Sequence, residues 1–298
     1  MTTSSTDGSA GRLVSLWGGG PWQDPARTAE AREVAAEVEE LGYDRVWLSG
    51  GHEDGILPVF ADLLDATSSL GIASGIVSIW TATPQQSADA VVQFERDHPG
   101  RFLLGVGNSH APVVEGNGQN YDKPYTRTVE YLDALDATTP LVEEEQRALA
   151  ALGPRMLELA RDRSLGAHPY FVTAAHTGYA RRVLGEGPLL APEVAVVLET
   201  DPDVARRIAR DYMSMYLQLP NYTSNLRRFG YDDDDLLDGG SDRLLDELIP
   251  WGSIDTVVAG IAKHYEAGAD EVPIQVLTGD PGTFARAEFR ELAAALIS

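Results

Sequence analysis

Short apolar runs recur along the chain, and between them apolar residues return every three or four positions. The runs fall at residues 13–17, 44–49, 72–80, 101–107, 147–152, 167–173, 193–199 and 271–277. Several are apolar at consecutive positions, as in Phe102-Leu103-Leu104 and Val194-Ala195-Val196-Val197-Leu198. A strand with one wet face alternates. Unbroken apolar character buries both faces, as in a parallel sheet covered by helices. Helical spacing is found at residues 27–41, 85–96, 125–135, 154–163, 204–217 and 256–267. The first of these ends at Gly42, a natural helix stop, and Pro84, Pro154 and Pro202 stand where a first helical turn tolerates proline.

Eight strand–helix units without a break in composition predict an α/β fold, a (β/α)8 TIM barrel forming one domain over residues 12–298. An open doubly wound sheet is the alternative. Residues 218–250 read as an insertion before the last strand, and the run YDDDDLLDGGSD within it reads as a solvated loop. Residues 1–11 are small and polar and predict a disordered tail without the apolar core of a signal peptide, hence a cytoplasmic protein. No apolar run reaches the length of a membrane span. The chain has no cysteine, which excludes disulfides, thiolate catalysis and cysteine-ligated zinc. Its net charge of −23, from 23 basic and 46 acidic residues, argues against nucleic acid as a partner. It also means that an anionic cofactor would need a locally favourable cradle.

In such barrels chemistry sits at the C-terminal ends of the strands. That rule selects Ser49-Gly50-Gly51-His52, Trp80-Thr81, Gly107-Asn108-Ser109-His110, Leu152-Gly153-Pro154-Arg155 and residues 173–177. Gly105-Val106-Gly107 invites a dinucleotide reading, but His110 stands where the third glycine belongs, and the match fails. Leu152-Gly153-Pro154-Arg155 has two readings. It is an anion site at a helix N-terminus, with Arg155 adding charge, or an ordinary connection between strand and helix. His52 and His110 follow strand ends, where a histidine can serve as general acid or base. His168 reads as a core or pocket histidine, and His98 and His264 as surface or capping residues. No spacing suits a metal, and none is expected. The stretch YMSMYLQLPNYTSNL, residues 212–226, reads as helical core, a dimer surface or the wall of a substrate pocket.

ELGYDRVWLS, GIVSIWTATP, PGRFLLGVGNSHAP and LGPRMLELA, in that order, resemble the bacterial luciferase-like flavin oxidoreductases. GAHPYFV, LPNYTSNLRRFG and GGSDRL resemble an actinobacterial branch that uses the deazaflavin coenzyme F-420. The resemblance implies a barrel holding a tricyclic ring at its C-terminal mouth, in a homodimer. It implies a non-proline cis peptide near Gly75-Ile76, with Ser78 beside the ring, and a cofactor phosphate at Leu152-Gly153-Pro154. Ser49, Gly107 and Asn108 then border the cofactor. The implied reaction is hydride transfer between F-420 and a small organic substrate, with His110 and then His52 as candidates for proton transfer. An FMN monooxygenase using O2 and a flavin-binding protein without turnover are the alternatives. Some relatives carry an acid before the histidine after strand two and a glutamate after strand four. Here those places hold Gly51 and His110, so the relatives' substrates are not carried over.

Overall fold

The computed structural model describes residues 12–50 and 56–297. The tail at 1–11 and two residues of the strand-two motif, Gly51 and His52, lie outside them. The chain begins β1 (Leu13–Gly18), α1 (Thr28–Glu40), β2 (Arg45–Leu48), α2 (Ile56–Ala66), β3 (Gly71–Ser74), β4 (Val77–Ser78), α3 (Pro84–Asp97) and β5 (Phe102–Gly107). It continues α4 (Ala111–Gly116), α5 (Pro124–Asp136), β6 (Arg147–Leu149), α6 (Pro154–Arg163), β7 (Gly166–Ala167), α7 (Ala174–Leu184), β8 (Leu189–Leu190) and β9 (Val194–Val196). It ends α8 (Pro202–Tyr216), α9 (Pro220–Arg228), α10 (Asp233–Leu236), α11 (Asp242–Leu248), α12 (Ile254–Glu266), β10 (Glu271–Val276) and α13 (Arg286–Leu296).

The strands form one parallel sheet in the order β8-β7-β6-β5-β3-β2-β1-β10-β9, with β4 added to β5. The two ends of that order, β8 and β9, are successive parts of one extended run, 189–196. Its first part pairs with β7 and its second with β10, so the sheet curls until it meets itself. This is the curled parallel sheet of a TIM-type barrel, and the open doubly wound alternative falls. All eight apolar runs contribute. The ladder is shorter than the runs, because the chain leaves it at the C-terminal ends to build the mouth. Run 72–80 divides into β3 and β4 around a cis peptide between Gly75 and Ile76, and run 167–173 pairs only at its start.

Inside the curl, register aligns Trp17, Trp47, Ala73 and Leu103 across β1, β2, β3 and β5. One large indole at Trp47 packs with small Ala73, Ala148 and Ala191, which is how a narrow interior fills. Glu271, fully buried, receives 2.6 Å hydrogen bonds from Ser15 Oγ, Arg45 and Trp47 Nε1, tying β10 to β1 and β2. A buried carboxylate is tolerable only when so paired.

The insertion is largely helical, and the aspartate run read as a solvated loop holds the short helix α10 between turns. The insertion folds as α9, α10 and α11, and Tyr222, Leu226, Leu244, Leu245 and Leu248 pack with Met213 of α8 in their own apolar cluster. The aspartates serve the ends of these short helices. Asp232 caps α10, and Asp235 receives Ser241 and Arg243. Among the described residues no helix is long and apolar enough to cross a membrane.

Candidate functional site

A cavity of about 790 Å³ opens at the C-terminal ends of the strands, with α9 and the end of α8 along one side. It reaches from Gly75 and Ile76 to the start of α6. The cis peptide is seated by backbone bonds to β2: Gly75 donates to Leu48 O at 2.6 Å, and Gly50 donates to Ile76 O at 3.1 Å. On the other side Ser74 Oγ takes the Gly105 N–H at 2.8 Å and donates to the Gly105 carbonyl at 2.9 Å. Gly105 has to be glycine, because a Cβ there would stand 1.8 Å from Ser74 O. Gly107 lies under Ile76 and Ala150. The Gly-Val-Gly stretch therefore accommodates the bulge.

The sequence candidates distribute unevenly. Ser49, Gly75, Ile76, Ser78, Asn108, His110, Leu152 and Gly153 line the cavity, whereas Gly107, Pro154 and Arg155 do not. Asn108 Oδ1 accepts from Thr128 at 2.7 Å, and its carbonyl accepts from Trp80 Nε1 at 2.8 Å. Ser109 adopts a left-handed φ of 54°, which turns the chain so that His110 precedes α4. His110 Nδ1 lies 3.2 Å from Asn221 Oδ1, and Nε2 lies 3.5 Å from the Tyr222 hydroxyl, both on α9.

α6 starts at Pro154 with no side-chain cap, so a first-turn amide is left for an anion. The arginine at this point is not Arg155, whose guanidinium sits 3.9 Å from the Tyr125 ring centroid on the outside. Arg228 of α9 lines the cavity instead, 3.1 Å from where a Cβ on Gly153 would be. Asn225, one turn earlier, is buried with an unpartnered Oδ1.

The 212–226 stretch supplies Met215, Tyr216, Leu219, Asn221 and Tyr222 to the lining, while Met213, Tyr222 and Leu226 pack as core, so it is both helical core and cavity wall. Behind this wall Tyr170 donates to Gln275 at 2.8 Å and receives Tyr212 at 3.0 Å. Tyr212 also reaches Glu193 at 3.4 Å. Burial pushes the Glu193 carboxyl up to about 8 and raises Tyr170, Tyr212 and Tyr222 well above the ordinary phenol value. Burial thus disfavours the charged form of these four groups.

His168 is 1% exposed and lines the cavity, stacked on Trp47 at 4.2 Å. His98 ends α3, as a capping residue would. His264 is buried, with Nδ1 2.9 Å from Thr177 Oγ1, so the surface reading fails for it because α12 turns that face inward. His176, within the supposed strand end 173–177, lies on α7 and bonds Leu152 O at 2.9 Å. Tyr170, Asn225 and Arg228 carried no strand-end signal, and Trp17, which ends the first apolar run, was not among the strand ends selected. Among the described residues no three His, Asp or Glu side chains are grouped to hold a metal.

Comparison with known proteins agrees with this architecture. A Mycobacterium tuberculosis protein named as a coenzyme F-420-dependent oxidoreductase is 29% identical over 126 residues, 42% of this chain and 35% of that protein. The match thus spans about a third of the length of the curated relative. Among solved structures, the F-420-dependent tetrahydromethanopterin reductase from Methanopyrus kandleri superposes with a TM-score of 0.75 at 16% identity, covering 96% of this chain and 99% of that one. An F-420-dependent secondary alcohol dehydrogenase with an F-420–acetone adduct gives 0.72 at 16%, covering 96% and 99%. The oxygenating constituent of 3,6-diketocamphane monooxygenase from Pseudomonas putida, in complex with FMN, gives 0.71 at 15%, covering 97% of each. The luciferase-like monooxygenase family model matches residues 12–271, and with that match, on a curled parallel sheet whose mouth holds the cavity, the chain belongs to the luciferase-like monooxygenase family.

Proposed function

We propose that the chain is an oxidoreductase of the F-420-dependent branch, exchanging a hydride between this deazaflavin and a small organic substrate. The observation that carries the reading is the cavity itself. It joins the cis Gly75-Ile76 bulge to the α6 N-terminus and Arg228, a span suited to a flat ring at one end and a phosphate at the other. The partial likeness to the M. tuberculosis protein, together with the F-420 enzymes among the structural neighbours, favours F-420 over FMN.

When bound, the cofactor supplies the carbon that gives or takes the hydride. The chain's own residues do the rest. Ser49, Ile76, Ser78 and Asn108 border the ring, while Leu152, Gly153 and Arg228 hold the phosphate end, where local positive charge offsets the acidic whole. Tyr216, Leu219 and Tyr222 exclude water from the mouth. With its Nδ1 proton directed to Asn221 Oδ1, His110 exchanges a proton with the substrate at Nε2. His52 remains the second candidate for that role. The resemblance adds a homodimer, which sedimentation of the purified protein checks.

Titration of the purified chain with F-420 and with FMN, followed by the absorbance and fluorescence of each, tests the reading. Saturable binding of F-420 in preference to FMN is expected, weakened about tenfold or more by Arg228→Ala through the lost charge-assisted contact. Exclusive binding of FMN would transfer the protein to the monooxygenase reading. Tight binding of F-420 whose reduced form persists with every acceptor offered would mark a carrier.

A further inference from the structure

Two polar atoms at the cavity floor have no hydrogen-bond partner, Trp17 Nε1 and His168 Nε2. Both side chains line the cavity. Both atoms also converge on one spot: a Cβ on Gly75 would stand 2.8 Å from the first and 3.2 Å from the second. Glycine at 75 therefore keeps open a small space that either atom can reach. A buried polar group left unpaired is destabilising, and two around one space call for a ligand that satisfies both.

The character of each atom is fixed. An indole N–H only donates. His168 Nδ1 lies 2.7 Å from the Ala191 carbonyl oxygen, which only accepts, so Nδ1 carries the proton. Burial holds the ring's pKa down at about 4, so the imidazole is neutral and Nε2 is a bare acceptor. The Ala191 bond fixes which edge of the ring faces the cavity, and stacking on Trp47 fixes its plane. Trp17 is braced in turn by Tyr170, 5.1 Å away between ring centroids.

We infer that Trp17 and His168 form a reader for a lactam edge, a ring carbonyl beside a ring N–H. Trp17 Nε1 donates to the carbonyl, and His168 Nε2 accepts from the N–H. Resting on the oxidoreductase reading above, the edge belongs to the pyrimidinedione of the cofactor ring. Replacing either residue by phenylalanine preserves the aromatic packing and deletes one half of the reader.

The probes are a deazaflavin with a free N3–H and the same ring methylated at N3. Wild-type protein is expected to bind the N3–H ring at least about tenfold more tightly. His168→Phe should abolish that preference. Trp17→Phe should weaken both rings by a similar factor and keep the preference, since both retain the carbonyl. No preference in the wild type, or a preference undiminished in His168→Phe, would overturn the inference. Should His168→Phe fail to fold, 15N NMR of histidine-labelled wild type replaces it. The Nε2 resonance should move upfield with the N3–H ring and stay in place with the methylated one, and an unmoved resonance overturns the inference. Flavin carries the same edge, so a protein that refused F-420 and bound FMN would sink the deazaflavin reading alone. The two flavin analogues would then decide on the reader.

Discussion

His110 shows how far one residue's role can be derived from its position. It follows β5 by three residues, and the left-handed turn at Ser109 aims it at Asn221 and Tyr222 of α9. General acid–base catalysis is worth about 10²–10⁴ in rate. His110→Ala is therefore expected to lower kcat by that range while the affinity for F-420 stays essentially unchanged. Equal losses in kcat and in cofactor affinity would reduce His110 to a lining residue. This residue was legible because a strand end and a polar loop are local signals. His168 was legible only as a core or pocket histidine. What distinguishes it is a carbonyl 23 residues further on, at Ala191, and a glycine in the bulge between β3 and β4, neither of which composition reveals. Arg155 and Arg228 make the same point in reverse. The arginine adjacent to the helix start in sequence turns away to Tyr125, and the one that reaches Gly153 arrives from an insertion.

The bulge between β3 and β4 is the element on which the mouth depends. Ser74 is its hinge pin, satisfying both backbone groups of Gly105 where the regular ladder is interrupted. Ser74→Ala leaves a buried N–H and a buried carbonyl without that partner. A loss of about 1–3 kcal/mol of unfolding free energy is expected, read from urea denaturation with an unchanged m-value. A variant as stable as the parent would mean that the bulge holds without the serine. The apolar run 72–80 announced a buried strand correctly, yet nothing in its pattern showed where pairing would stop and restart. The aspartate run of the insertion was misread in part, for a different reason. Its run of aspartates looks solvated, and all of them but Asp235 are exposed. Asp232 and Asp235 are committed to capping, and the apolar residues beyond them close a second core against α8.

At the scale of the whole molecule, the order of the strands was readable from the sequence because each strand–helix unit packs beside its predecessor. β8 (Leu189–Leu190) was not, since a two-residue strand leaves almost no pattern. Buried titratable groups give the whole fold a pH profile. Burial lowers His168 and His176 from 6.5 to about 4 and His264 to about 3. Between those values and 6.5 the unfolded chain binds protons that the native chain refuses, so stability falls as pH drops through the window. Glu193 acts in the opposite sense. Raised from 4.5 to about 8, it holds a proton in the native state that the unfolded state has lost, so stability declines as pH rises through that window. Denaturation across pH should show a maximum near 6.5, and Glu193→Gln should flatten the decline from there to pH 8. A decline that persists in that variant would place its origin in other groups. Glu271 has a consequence for the chain while it is being made. Its donors, Ser15, Arg45 and Trp47, leave the ribosome more than 200 residues earlier, Trp47 by 224. Through that interval an indole N–H lacks its acceptor and β1 shows an open edge, the kind of edge that templates pairing with other chains. The open edge of β1 therefore stays available for wrong pairing until β10 emerges to cover it.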